Sequence, residues 1–285
     1  MRVTVFGATG MLGKALMRRW EDATEEVTGL GSAQADIRDS AQVERAIQQS
    51  KPDCVVLSAA YTDVDGCERN PALASAVNTD GAVNVARATA TAGARLLFVS
   101  TDYVFDGTKS APYETSDARK PINAYGRSKA EAEEKILSIL PDACIVRTSW
   151  LFGPAGKCFP DTILKLAEKL PEGEFATVVN DQRGSPTYTF DLADTIVGLC
   201  KSEARGIVHC ANRGECSWYD FAVEIIREAG LATEVRPTTS DKFVRPAPRP
   251  KYSVLSSASL AQYGIEMRPW QQTLADYLHE RSKAT

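Results

Sequence analysis

Histidine is nearly absent from this chain: there are two in 285 residues, His209 and His279, far apart in sequence. A zinc hydrolase or a multi-histidine iron centre needs clustered imidazoles, so the sequence argues against chemistry of that kind and no metal is expected. No C-x-x-C spacing occurs among the seven cysteines, at positions 54, 67, 144, 158, 200, 210 and 216. Their number is odd, and several lie in apolar runs such as Asp53-Cys54-Val55-Val56 and Ala143-Cys144-Ile145-Val146. Reduced, buried thiols fit that pattern best. A basic excess is also missing. Lysine and arginine total 33 against 37 acidic residues, a net charge of −4, which offers no positive face to nucleic acid. No run approaches the ~18 apolar residues of a membrane span, and MRVTVFGATG lacks the apolar core and cleavage site of a signal peptide. A cytoplasmic protein is expected, without membrane or nucleic-acid partners.

What is present reads as an ordinary folded chain, with 44% hydrophobic and 25% charged residues. Its length allows one large domain or two modest ones. Short β-branched runs at 2–6, 26–29, 53–59, 95–100 and 143–148 alternate with amphipathic stretches at 12–20, 40–49, 71–92 and 124–140. Such alternation predicts an α/β fold, a doubly wound parallel sheet of Rossmann-like type with helices on both faces. Nearly continuous apolar strands agree with a sheet covered on both sides. After Trp150 glycine, proline and aromatic residues become frequent, with helical stretches at 161–170, 189–201, 218–229 and 271–281. The expectation is a dinucleotide-binding domain over 1–148, joined by part of 177–202. A smaller α/β substrate domain, mainly 149–285, wraps the carboxyl edge of the sheet.

The first strand runs straight into Gly7-Ala8-Thr9-Gly10-Met11-Leu12-Gly13, which opens a helix. Glycines in that place let the backbone turn tightly and approach a pyrophosphate, whose charge rests on the helix N-terminus. A plain turn is the bland alternative, but the strand–turn–helix context favours a dinucleotide. The acid that normally binds the ribose should follow ~20 residues later, at the end of the second strand. Gly29-Leu30-Gly31-Ser32 stands there instead, and the nearest carboxylate is Asp36. Without that charge a 2′-phosphate is not repelled, so NADP (NADPH) is favoured over NAD, although no arginine is clearly placed to hold the phosphate.

Tyr125-Gly126-Arg127-Ser128-Lys129 begins a helix, and residues at i and i+4 share a helix face. A neighbouring ammonium favours phenolate and is expected to lower the tyrosine pKa, fitting the phenol for proton transfer to or from a substrate oxygen. Y-x-x-x-K alone is common on surface helices. Here it follows Ser100-Thr101-Asp102-Tyr103, whose hydroxyls emerge at the carboxyl end of an apolar strand, where open α/β sheets bind ligands. The order of glycine turn, strand-end Ser/Thr and Y-x-x-x-K points to an oxidoreductase.

The chain resembles the extended short-chain dehydrogenase/reductases, and most closely the dTDP-4-dehydrorhamnose reductase family. The matching segments are GATGMLG, DIRD, AAYTDVDGCE, VN, STDYVFDG, YGRSK, VRTSWLFG, NDQRGSPT and RPKYSVLS, spread over nearly the whole length. The resemblance implies reduction, by NADPH or NADH, of the C4 keto group of dTDP-4-dehydro-β-L-rhamnose for cell-surface polysaccharide. It implies Tyr125 as proton donor, Thr101 on the same oxygen, and Lys129 on the nicotinamide ribose. Gly7, Gly10, Met11, Leu12 and Gly13 would cradle the pyrophosphate, Asp36 and Ile37 flank adenine, and Ala60, Tyr61 and Thr62 line the cofactor path. Asp102, Tyr103 and Trp150 would contact the sugar, and Asn180, Arg183 and Arg249 the nucleotide of the substrate. Thr187-Tyr188-Thr189-Phe190 offers no glutamate for the magnesium-bridged dimer of some members, so a monomer or weak homodimer is expected. Two alternatives stand beside this reading. One is a reductase of another nucleotide-linked 4-keto-6-deoxysugar. The other is a non-catalytic NADP-binding subunit like the regulatory partner of methionine adenosyltransferase.

Overall fold

A computed structural model describes residues 1–21, 23–171 and 173–284. Its centre is a six-stranded, wholly parallel sheet in the order β10-β5-β4-β3-β1-β2. The strands are β1 (Arg2–Phe6), β2 (Glu26–Leu30), β3 (Cys54–Leu57), β4 (Arg95–Thr101), β5 (Cys144–Thr148) and β10 (Gly206–His209). The period-2 alternation of a strand splits their side chains between two cores. Val3, Val5, Val56, Leu97 and Val146 face one side, with helices α1 (Met11–Arg19) and α8 (Thr189–Lys201). Phe6, Val55, Leu57, Leu96, Phe98 and Ile145 face the other, with α2 (Ser40–Ser50), α5 (Gly81–Thr91) and α6 (Ala124–Ile139). Both faces are covered, as the apolar strands require.

Two differences from the sequence reading have physical causes. The stretch expected as one helix over 71–92 is α4 (Pro71–Ser75), a π-turn (Ala76–Asp80) and then α5, preceded by an unanticipated α3 (Val64–Arg69). The wider π-turn delivers Asn78 to the backbone of Tyr61 on both its N–H (2.7 Å) and its carbonyl (3.0 Å), and to Ser128 Oγ at 3.0 Å. Such single π-turns inside helices recur at functional sites. The other difference is β10, which periodicity over four residues did not reveal and which closes the sheet beside β5.

Residues after β5 add three small strand pairs at the carboxyl edge. β6 (Leu151–Phe152) pairs with β9 (Thr187–Tyr188), β8 (Arg183–Gly184) with β11 (Cys216–Ser217), and β7 (Phe175–Val179) with β12 (Glu234–Thr238). Around them pack α7 (Phe159–Lys169), α9 (Trp218–Glu228), the short α10 (Ala258–Ala261) and α11 (Trp270–Ala284). Phe152, Tyr188, Phe221, Trp270 and Tyr277 extend the α1–α8 core without a break into this half. Among the described residues no helix is long and apolar enough to cross a membrane. The seven cysteines are all buried and unbridged.

Candidate active site

A cavity of about 660 Å³ opens along the carboxyl ends of the strands. Its first wall is backbone. Gly7 has φ +91°, and a Cβ on it would lie 2.5 Å from the Ala59 nitrogen. A Cβ on Gly13 would lie 2.0 Å from the Gly7 carbonyl oxygen, so the helix can approach the turn only without a side chain there. Gly10 caps α1 with extended backbone, no side-chain cap and no acidic residue in the first turn. The amide N–H groups of the first turn of α1 are thus left for an anion, and the bare glycine turn fits a dinucleotide pyrophosphate. Gly7, Gly10, Met11, Leu12 and Gly13 all line the cavity.

Beyond the turn the wall continues through Gly31, Ser32, Asp36, Ile37 and Arg38. The sequence left no arginine clearly placed to hold a 2′-phosphate, and the structure adds one arginine to this wall. Arg38 lines the cavity, its guanidinium forked on Asp36 with Nε 3.0 Å from each carboxylate oxygen. That fork holds the Asp36 carboxyl below its ordinary range. The spacing Asp36-x-Arg38 carried the signal, but Arg38 follows the strand end too distantly for the usual ribose position. Asp39, the other acid of this motif, caps α2 through Ala41 and Gln42 N–H.

The catalytic candidates meet at the middle of the cavity. Thr101 ends β4, and Asp102 and Tyr103 begin the tight turn that follows, where Thr101 Oγ1 accepts from Tyr103 N–H at 3.2 Å. Asn123 caps α6 by accepting from Gly126 N–H at 2.8 Å, which sets Tyr125 in the first helical turn. Gly126 is there for contact: a Cβ would lie 2.1 Å from the Tyr103 carbonyl oxygen. The rings of Tyr103 and Tyr125 meet edge to face at 6.0 Å. Lys129 is 1% exposed, donates to the Val99 carbonyl at 2.7 Å and lies over the Phe98 ring.

This geometry reverses one expectation. Burial holds the Tyr125 phenol above its ordinary pKa, and burial draws the Lys129 ammonium down to about 7. Helical spacing placed the two residues on one face, but desolvation is the largest influence on each. A phenol kept protonated is suited to giving a proton. Asp102 is 2% exposed, and burial pushes its carboxyl up to about 7. One layer behind, Ser100 Oγ donates to Glu133 at 2.5 Å, and Arg147 grips the same carboxylate at 2.7 and 3.0 Å. Sequence reading missed this buried pair because its members are single residues on α6 and β5.

The far wall is aromatic. Trp150 adopts φ +46°, a strained value for a tryptophan, and its ring stacks on Trp218 with centroids 3.5 Å apart and planes within 5°. Gly184 makes room for the indole, since a Cβ there would lie 2.5 Å from Trp150 Cε2. Both tryptophans line the cavity; Trp218 was not anticipated. Ala60, Thr62, Thr101, Asp102, Tyr103, Tyr125 and Lys129 also reach the lining. Tyr61, Asn180, Arg183 and Arg249 do not. Tyr61 is fixed by Asn78, and Asn180 accepts from Ser217 Oγ at 2.7 Å. Arg183 pairs with Glu215 (3.2 Å) and Asp220 (3.6 Å). Arg249 donates to Asp65 at 2.5 Å.

A parallel sheet with a glycine turn after its first strand and a Thr–Tyr–Lys set at its carboxyl edge has the architecture of a Rossmann-like oxidoreductase. The model for the RmlD substrate binding domain matches residues 1–283, and the chain belongs to that family. It is 42% identical over 283 residues to the spore coat polysaccharide biosynthesis protein SpsK of Bacillus subtilis, covering 99% of each chain. To the dTDP-4-dehydrorhamnose reductase of Mycobacterium tuberculosis it is 41% identical, covering 100% of this chain and 94% of the relative. The crystal structure of the Bacillus anthracis dTDP-4-dehydrorhamnose reductase in complex with NADP superposes with a TM-score of 0.94 at 36% identity, covering 98% of this chain and 99% of that one.

Proposed function

We propose that this protein reduces the C4 keto group of dTDP-4-dehydro-β-L-rhamnose to give dTDP-L-rhamnose for cell-surface polysaccharide, using NADPH. The observation that carries the reading is one continuous cavity wall holding the glycine turn, the Thr101–Tyr125–Lys129 set and the Trp150–Trp218 stack. When bound, the dinucleotide supplies the hydride. Tyr125, protonated at rest, gives its proton to the C4 oxygen as that oxygen gains charge, so one hydride and one proton complete the alcohol. Thr101 hydrogen-bonds the same oxygen. Lys129, already at the cavity wall, holds the nicotinamide ribose and supports the phenolate left on Tyr125. Gly7, Gly10, Met11, Leu12 and Gly13 cradle the pyrophosphate, Asp36 and Ile37 flank the adenine, and Ala60 and Thr62 line the path between. Asp102, Tyr103 and Trp150 contact the sugar. Arg249, behind Tyr103, and Asn180 and Arg183, behind Trp218, serve the nucleotide of the substrate from a second layer. Seven unbridged thiols favour a cytoplasmic location. We propose a monomer or weak homodimer, without a magnesium bridge.

Purified protein with NADPH and freshly generated dTDP-4-dehydrorhamnose should lose reduced-nicotinamide absorbance, one cofactor per sugar. Tyr125→Phe should lower kcat by ~10²–10⁴-fold, the usual share of general acid catalysis, with cofactor affinity little changed. Tight NADPH binding without oxidation of any nucleotide-linked keto-sugar would favour a regulatory subunit instead. Faster turnover of a different 4-keto-6-deoxysugar would keep the reductase and replace only its substrate.

A further inference from the structure

Among the described residues, the arginine and lysine side chains lining the cavity are those of Arg38, Lys129 and Lys157. Arg38 is forked on Asp36, and Lys129 is buried on the Val99 carbonyl. Lys157 is exposed, and among the described residues no hydrogen bond or ion pair engages its ammonium. It sits on the arch 153–158, which crosses from the sugar end of the cavity to the glycine turn.

That arch is tied at both ends and pressed against α1 in between. At its start, a Cβ on Gly153 would lie 1.9 Å from Thr189 Oγ1. At its end Cys158 is 6% exposed, with Sγ 3.4 Å from the Tyr277 hydroxyl. In the middle Ala155 takes φ +66°, and a Cβ on Gly156 would lie 2.8 Å from Met11 Cβ. Met11 is the first residue of α1, so Lys157 is delivered next to the helix end that carries unsatisfied N–H groups. A six-residue arch fixed in this way has little freedom to place its lysine elsewhere.

We infer that Lys157 binds the pyrophosphate of the nicotinamide dinucleotide from the side opposite α1, closing the cofactor between the sheet and the arch. This rests on the cofactor placement proposed above. Two negative charges then meet the α1 amides on one side and the exposed Lys157 ammonium on the other. The pyrophosphate is common to NADH and NADPH, whereas the 2′-phosphate belongs to NADPH alone. The two phosphates can therefore be told apart.

The test is binding of NADPH and NADH, followed by nicotinamide fluorescence in the absence of sugar. Lys157→Met should raise the Kd of both dinucleotides by the same factor, roughly 3- to 10-fold, and Lys157→Arg should restore most of the affinity. Raising salt from about 0.02 M to about 0.3 M should weaken wild-type binding more steeply than that of the methionine variant, because screening acts on the lost charge pair. Unchanged affinity for both dinucleotides overturns the inference. So does a loss confined to NADPH, which would put Lys157 on the 2′-phosphate. If wild-type protein binds neither dinucleotide, or Gly13→Ala binds both normally, the cofactor placement itself fails and the inference with it. Lys157 is exposed, so both variants should melt with the wild-type protein.

Discussion

The two ends of the cavity are built by opposite means. At the nucleotide end the wall is backbone, and the decisive residues are those without side chains: Gly7 and Gly13 leave 2.5 Å and 2.0 Å where a Cβ would stand. At the sugar end the wall is bulk, two tryptophans stacked at 3.5 Å and supported by a glycine from a third segment. Backbone amides make a rigid, charge-directed cradle that suits an invariant phosphate. Aromatic faces make a tolerant surface whose shape can be retuned one side chain at a time, as a variable sugar requires.

The strongest test of that contrast compares two glycines. In Gly13→Ala the new methyl meets backbone that cannot yield, so NADPH affinity should fall by more than about 100-fold. In Gly184→Ala the neighbour is an indole edge that can tilt, so the loss should appear in the KM for the sugar nucleotide and stay within about tenfold. Dinucleotide titration and steady-state kinetics read the two separately. Equal effects on both ligands from both variants would break the contrast.

Next in size is Asp102, where the two ends meet. Its folded pKa of about 7 lies above its ordinary 3.8, so the folded state keeps a proton that the unfolded chain loses between those values. Stability from this group is therefore complete only below its ordinary value of 3.8, falls as pH rises above it, and is gone once pH has passed about 7. Asp102→Asn mimics the protonated acid. It should match wild type at about pH 3 and exceed it at about pH 8 by an amount on the order of 4 kcal/mol. Melting curves at the two pH values check this; a variant less stable than wild type at pH 8 would show Asp102 ionised and satisfied in the fold.

The same contrast explains what could be read from sequence. The glycine turn spans seven residues, Y-x-x-x-K spans five, and each is a local pattern with a local cause, so both were legible. The strands of the sheet were legible for the same reason, to within two residues, apart from four-residue β10. The sugar end was legible only in part: Asp102, Tyr103 and Trp150 were named for it and line the cavity, but the stack was not. Trp150, Gly184 and Trp218 come from three segments, and nothing in their spacing says that they touch. The Glu133–Arg147 pair was hidden in the same way. The titration of Tyr125 was misread for a different reason. Helical spacing reports which groups are near, whereas the shift depends on how much water is removed, and that is a property of the whole fold.

Trp150→Ala tests the bulk wall directly. Loss of the indole removes one face of the stack and leaves the glycine turn untouched. The KM for the sugar nucleotide should rise roughly tenfold, while the NADPH Kd stays within about twofold. If Trp150 were only core, Tm would fall and both ligands would weaken together.

The smallest effect should come from Arg183, one layer behind that wall. Its guanidinium is 41% exposed and shared between Glu215 and Asp220, two partners that are themselves 38% and 44% exposed. Solvent screens such pairs, so Arg183→Ala should cost less than about 1 kcal/mol of stability. The ligand measurement is the informative one. If Arg183 turns from its carboxylates to the substrate diphosphate, the KM for the sugar nucleotide should rise about three- to fivefold and become less sensitive to salt, with NADPH affinity unchanged. An unchanged KM would confine Arg183 to its ion pairs and leave the substrate diphosphate to be held from the cavity wall alone.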